Sequence, residues 1–108
     1  MYQIDTRMPG PATEQDALTW IQDALRNGRY IYTAHFWVRC DDRDISILDV
    51  KRAVERAYSC ETYKNGKPMN GGTCWRVTGP DFAGDATSIG VEAFTDHLGK
   101  RAVLCTVF

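Results

Sequence analysis

The hydrophobic period of this chain changes once, near Ser59, and that change restricts it to folds in which helices come first and strands follow. Up to Tyr58 apolar residues recur about every 3.6 positions, whereas from Cys60 onward they alternate with a period of about 2. Thr13 and Asp16 have the spacing of a capping box, and Glu14 and Asp16 suit the positive end of a helix dipole. Ala17, Leu18, Ile21, Ala24 and Leu25 then share one helical face, and Asn27-Gly28 supplies the left-handed residue that closes a helix. Ser46 and Asp49 repeat the capping spacing, with Ile45 and Val50 as a hydrophobic staple. The helix they begin should run to about Tyr58, burying Ile47, Val50, Val54, Ala57 and Tyr58 and leaving Lys51, Arg52, Glu55 and Arg56 in water. Between these helices Arg29 to Thr33 reads as a short extended link. Residues 34–42 are ambiguous by propensity, but His35, Arg39 and Arg43 stand at i, i+4 and i+8, so a helix there puts all three on one face.

Strands are predicted at residues 60–64, 73–78, 88–95 and 101–108, separated by Asn65-Gly66, Asn70-Gly71-Gly72, Gly79-Pro80-Asp81 and a turn at 96–100 containing Gly99. In the third of these Ile89, Val91 and Ala93 face one way and Glu92 and Phe94 the other. In the last, Val103, Cys105 and Val107 alternate against Leu104, Thr106 and Phe108. The expectation is an α+β fold, with N-terminal helices packed on one face of a four-stranded antiparallel sheet. A chain of 108 residues is one domain's worth. Pro9, Gly10 and Pro11 mark residues 1–12 as a flexible arm, leaving 13–108 as the single domain. No apolar run approaches the roughly 20 residues needed to cross a bilayer, and Met1 to Pro11 lacks the apolar segment of a secretory signal, so a cytoplasmic location is expected.

Cys40, Cys60, Cys74 and Cys105 form no Cys-x-x-Cys pair and no zinc-finger spacing, so they read as reduced thiols, with neither metal nor cofactor called for. The net charge of −1 is not that of a strongly basic nucleic-acid-binding domain. It is, however, uneven: residues 1–50 carry five Lys/Arg against eight Asp/Glu, and residues 51–108 carry eight against six. A phosphate-binding loop, a dinucleotide fingerprint, a nucleophile elbow and a His-Glu-x-x-His pair are all missing from the sequence, which argues against nucleotide hydrolases, dehydrogenases and zinc peptidases.

The run Thr33-Ala34-His35, Arg39, Arg43, Ile45-Ser46 and Asp49-Val50 resembles the opening signature of domain-of-unknown-function family 4258, a bacterial group. Val77-Thr78-Gly79 resembles that family's strand ending in Gly, and Val103 to Phe108, with Thr106, resembles its closing strand. The resemblance covers roughly residues 30–108. It departs in the long first helix, in the Gly-rich insert at 65–72 and in Phe108, where Tyr or Trp is common. It implies the fold of RelE-type ribonuclease toxins and, as a partner, an antitoxin protein.

Metal-independent cleavage of RNA needs a base, an acid and cations for the phosphate. His titrates near working pH, and Arg holds phosphate bidentately while staying charged. His35, Arg39 and Arg43 on one face would make a compact site of that kind. The same residues also fit a structural arrangement, with His35 buried against a backbone carbonyl and the arginines paired to Asp41, Asp42, Asp44 or Asp49. Glu92 would project from the sheet face away from Ile89 and Val91, as a general base or as an ordinary charge on a wet face. Lys100 and Arg101, beside His97 in the turn, and Thr106 are candidates for substrate contact. Tyr30, Tyr32, Trp37, Tyr63 and Trp75 could stack on bases or fill the core. Two functions follow: a RelE-like toxin that cuts RNA, and a non-catalytic protein- or RNA-binding module on the same scaffold.

Overall fold

A computed structural model describes residues 10–108. In chain order the elements are α1 (Glu14–Arg26), β1 (Tyr30–Tyr32), α2 (Ala34–Arg43), α3 (Ile47–Glu55), β2 (Ser59–Thr62), β3 (Thr73–Pro80), β4 (Ala86–Asp96) and β5 (Gly99–Val107). Every helix starts where a hydroxyl can accept an orphan backbone N–H: Thr13 from Asp16, Thr33 from Phe36 and Ser46 from Asp49. Ser46 and Asp49 complete the reciprocal capping box. α3 stops at Glu55, short of the predicted Tyr58, and Tyr58 is 63% exposed where burial was expected. Ala53, left out of the predicted stripe, is fully buried.

The sheet corrects the expectation of four antiparallel strands. Among the described residues it has five, in the order β1-β5-β4-β3-β2, and is mixed. The segment read as an extended link forms β1 and pairs parallel with β5, Tyr30 opposite Ala102 and Tyr32 opposite Leu104. The other pairings are antiparallel, as a meander requires. The alternation predicted across 101–108 also breaks. Gly90 faces Thr106 but Val91 faces Leu104, so Cys105 is the extra residue of a bulge. Val107 consequently falls on the same face as Ala102 and Leu104, and Val103 on the opposite one.

α1, α3 and the helix-facing side of the sheet enclose one core containing Trp20, Ile21, Val50, Val54, Trp75, Val77, Ile89, Val91 and Leu104. α1 docks through Trp20, whose indole N–H donates to Arg101 O at 3.0 Å. α2 covers the part of β5 that extends beyond its partner β1. Thr33 Oγ1 donates to Cys105 O (3.0 Å), Arg39 Nε to Val107 O (3.1 Å), and Phe36 is wholly buried beneath. An otherwise open strand edge is thereby satisfied. Residues 1–9 of the predicted arm lie outside the described residues; Pro11, at its end, is buried and accepts from Thr73 Oγ1 at 3.1 Å. Among the described residues no helix is long and apolar enough to cross a membrane.

Candidate functional site

The sheet face turned away from α1 and α3 is built from the alternate residues of β3, β4 and β5. Cys74, Glu92 and Val103 form one row across it, Arg76, Gly90 and Thr106 the next, and Thr78 and Ser88 the last. One half of this face is roofed by residues 63–72. Glu92 fastens that roof. Its side chain is 1% exposed, and its carboxylate accepts from Met69 N (3.1 Å), Asn70 N (2.9 Å), Asn70 Nδ2 (2.9 Å) and Gly72 N (3.0 Å). A carboxylate inside a ring of backbone N–H groups is a satisfied buried anion. The expectation of a wet-face carboxylate is therefore overturned: the Gly-rich insert folds over Glu92 because its freed amides need an acceptor. Gly72 permits the close approach, since a Cβ there would run into Ala93 O.

The other half is open, and it holds a compact cluster. The Arg76 guanidinium lies 4.4 Å above the Phe108 ring, and Tyr63 meets the same ring edge-on at 5.1 Å. Gly90 makes the floor: a Cβ on it would come within 2.9 Å of Thr106 Cγ2 and 3.4 Å of the Phe108 ring. Arg76 is exposed here, with Glu61 opposite it in the β2–β3 register, and Lys64 and Lys67 are exposed on the adjoining 63–72 segment. This surface offers a π-face already polarised by a cation, with the Thr106 side chain beside it.

The sequence-predicted site residues fall into three places. His35, Arg39 and Arg43 lie within about 80° of one another around α2, as helical spacing demands. His35 is exposed, which removes the reading of a buried histidine. Arg39 is committed to Val107 O, with Asp42 at 3.9 Å from its Nη1. Arg43 shares a cleft with Phe108, so the stripe ends beside the open sheet face, but Asp44, Asp49, Asp81 and Asp85 line that cleft too. Thr106 lies under the Phe108 cluster. Lys100 and Arg101 do not: they sit at the far end of β5, about 20 Å away by strand rise. There Lys100 stands 5.0 Å over the Trp20 ring and Arg101 pairs with Asp96 at 3.4 Å. His97 occupies the exposed hairpin turn.

Of the aromatic candidates, Trp75 is core, Tyr30 and Tyr32 pack against the core, and Trp37 is 47% exposed. Tyr63 alone joins the open cluster. Arg76 is not among the residues the sequence singles out, and Phe108 enters only as a departure from the Tyr or Trp common in the resembled family. The available signal was Gly90, an unexplained glycine within an apolar strand.

The four cysteines are unpaired. Burial pushes the Cys60 thiol up to about 11 and the Cys74 thiol likewise to about 11, and raises Cys40 and Cys105. All four thiols are therefore poor nucleophiles. Among the described residues no group of three or more His, Cys, Asp and Glu is placed to hold a metal ion. Comparison with protein families, curated proteins and solved structures returns no match for this chain.

Proposed function

We propose that this protein binds single-stranded RNA across the sheet face that carries Tyr63, Arg76, Thr106 and Phe108. The observation supporting this reading is the Arg76 guanidinium stacked at 4.4 Å on Phe108, with Tyr63 against the same ring. Nucleobases stack on aromatic rings that reach the surface, as the half-buried Tyr63 and Phe108 do, and a neighbouring guanidinium takes the phosphate. Lys64 and Lys67 extend the positive charge along a path a backbone could follow. A single stacking contact is worth about 1–3 kcal/mol, so Phe108→Ala and Arg76→Ala should each weaken binding of a labelled single-stranded RNA roughly 5- to 150-fold in fluorescence anisotropy. The affinity should also fall steeply with salt. Unchanged affinity in both variants would remove the proposal.

A second reading, the RNA-cutting toxin held in check by an antitoxin, is favoured by one observation: His35 is exposed on the same stripe of α2 as Arg39 and Arg43, and the Arg43 end of that stripe shares a cleft with Phe108. In it His35 moves the proton and Arg43, beside Phe108, faces the phosphate; Glu92 takes no part. His35→Ala would then abolish RNA cleavage and growth arrest at an unchanged melting temperature. If the parent protein binds RNA without cutting it, the binding module stands and the toxin does not.

A further inference from the structure

On the other side of the molecule, between the C-terminal end of α1 and the outer face of α3, runs a groove of about 410 Å³ closed by the β3–β4 loop. Its floor is apolar: Leu25, Leu48 and Phe82, the last two 62% and 63% exposed. Its rim is cationic. Arg26, Lys51, Arg52 and Arg56 surround the floor, and the single carboxylate in the lining, Glu55, is already held by Arg26 at 2.9 Å. The groove is shaped by two fixed contacts. Asp49 Oδ1 accepts from Phe82 N at 3.2 Å, which holds the loop against α3, and the Arg52 guanidinium lies 4.8 Å over the Phe82 ring. In that position Arg52 Nε is buried without a hydrogen-bond partner.

We propose that this groove receives a segment of a partner protein in which leucine-like side chains alternate with carboxylates at helical spacing. The apolar floor takes the hydrophobic anchors, as an amphipathic helix lying in a groove requires. Arg26 is taken up by Glu55 at 2.9 Å and Asp23 at 3.2 Å, and Asp49 lies against the Phe82 amide, but Lys51, Arg52 and Arg56 still leave the rim net positive, so carboxylates on the incoming segment meet complementary potential. Arg52 Nε is a buried donor lacking an acceptor, so a carboxylate toward which the Arg52 side chain turns on leaving the Phe82 ring would satisfy it. RNA fits this site less well than an amphipathic helix, because two of the three apolar groups of the floor are leucines, which offer no π-face to a base. The surface is separate from the RNA-binding face, so the two inferences stand or fall independently.

The test is a titration of the isotope-labelled full chain with a synthetic helical peptide of roughly 15 residues bearing Leu and Glu at i, i+3 and i+4 spacing. Two control peptides carry Lys for Glu and Ser for Leu. Amide shifts should cluster at Leu25, Leu48, Lys51, Arg52 and Phe82, with affinity at least about tenfold above either control. Leu48→Glu and, separately, Phe82→Ser should each weaken binding about tenfold at an unchanged melting temperature, since both side chains are exposed. Arg52→Met, which keeps the apolar stem, should lose the preference for Glu over Lys. Equal binding of the Lys peptide, shifts centred on Tyr63 and Phe108, no binding at all, or indifference to Leu48→Glu would each overturn the proposal. So would displacement of the peptide from the groove by single-stranded RNA or by anionic phospholipid vesicles.

Discussion

Glu92 places a charge where charge is expensive and turns it into a fastening. Four N–H donors of the 69–72 segment converge on its carboxylate, so removing it leaves several buried donors unpaired at once. Glu92→Ala should therefore cost about 3 kcal/mol or more and open residues 63–72 to proteolysis. Glu92→Gln should also destabilise, because its amide group turns N–H toward N–H. Urea melts with limited digestion check this; a general base would instead lose activity at unchanged stability. Cys60 gives a pH-dependent counterpart. Its folded pKa of about 11 lies above its ordinary value, so the folded state holds the proton longer than the unfolded chain does. The resulting stability is fully present below about pH 9 and is lost as pH rises toward 11, at up to about 1.4 kcal/mol per pH unit. Cys60→Ala should flatten that part of the stability profile relative to the parent, and an identical slope in both proteins would contradict the assignment.

At the scale of elements, Asp49 couples a helix cap to a loop. Its carboxylate accepts from the Phe82 and Ser46 amides, and these bonds hold its pKa below the usual carboxylate value. That stability is present above the unfolded value of about 3.9 and is lost as pH falls through the folded value. Asp49→Ala should cost about 1–2 kcal/mol at neutral pH and progressively less in acid, as chemical denaturation from neutral to acidic pH will measure. Such caps are readable in the sequence because the residues that make them lie three positions apart. β1 is not. Three residues cannot declare a strand when the partner that makes them one is β5, at the other end of the chain. The bulge at Cys105 hides for a similar reason, since its cause is the register with β4 rather than any turn residue. The site follows the same division. The α2 stripe is a local spacing and survives in the fold, whereas the burial of Glu92 and the stacking of Arg76 on Phe108 depend on distant segments arriving together.

For the molecule as a whole, the order in which its parts hold together follows from those separations. The meander from β2 to β5 closes through consecutive neighbours in sequence, but β1 and α2 join it only through contacts such as Thr33 Oγ1 to Cys105 O, 72 positions apart. Closing so long a loop costs entropy before any contact rewards it, so this unit should dock late and leave first. Thr33 is its pin, because one hydroxyl both caps α2 at Phe36 N and donates to β5. Thr33→Val should cost about 1–2 kcal/mol, and should do so by speeding unfolding while leaving the folding rate nearly unchanged. Native-state hydrogen exchange should show the amides of β1 and α2 opening together at a free energy below that of β3 and β4, with the gap widened by Thr33→Val. A slowed folding arm in the chevron would mean that β1 pairs with β5 in the transition state, contrary to this order. The consequence reaches the surface proposed to bind RNA, because α2 fastens to the end of β5 beside Thr106 and Phe108 through Arg39 and brings Arg43 into the cleft of Phe108. If cleavage occurs, Thr33→Val should lose it at denaturant concentrations where Phe108-dependent RNA binding persists; coincident loss of both would show that α2 and the sheet open as one unit.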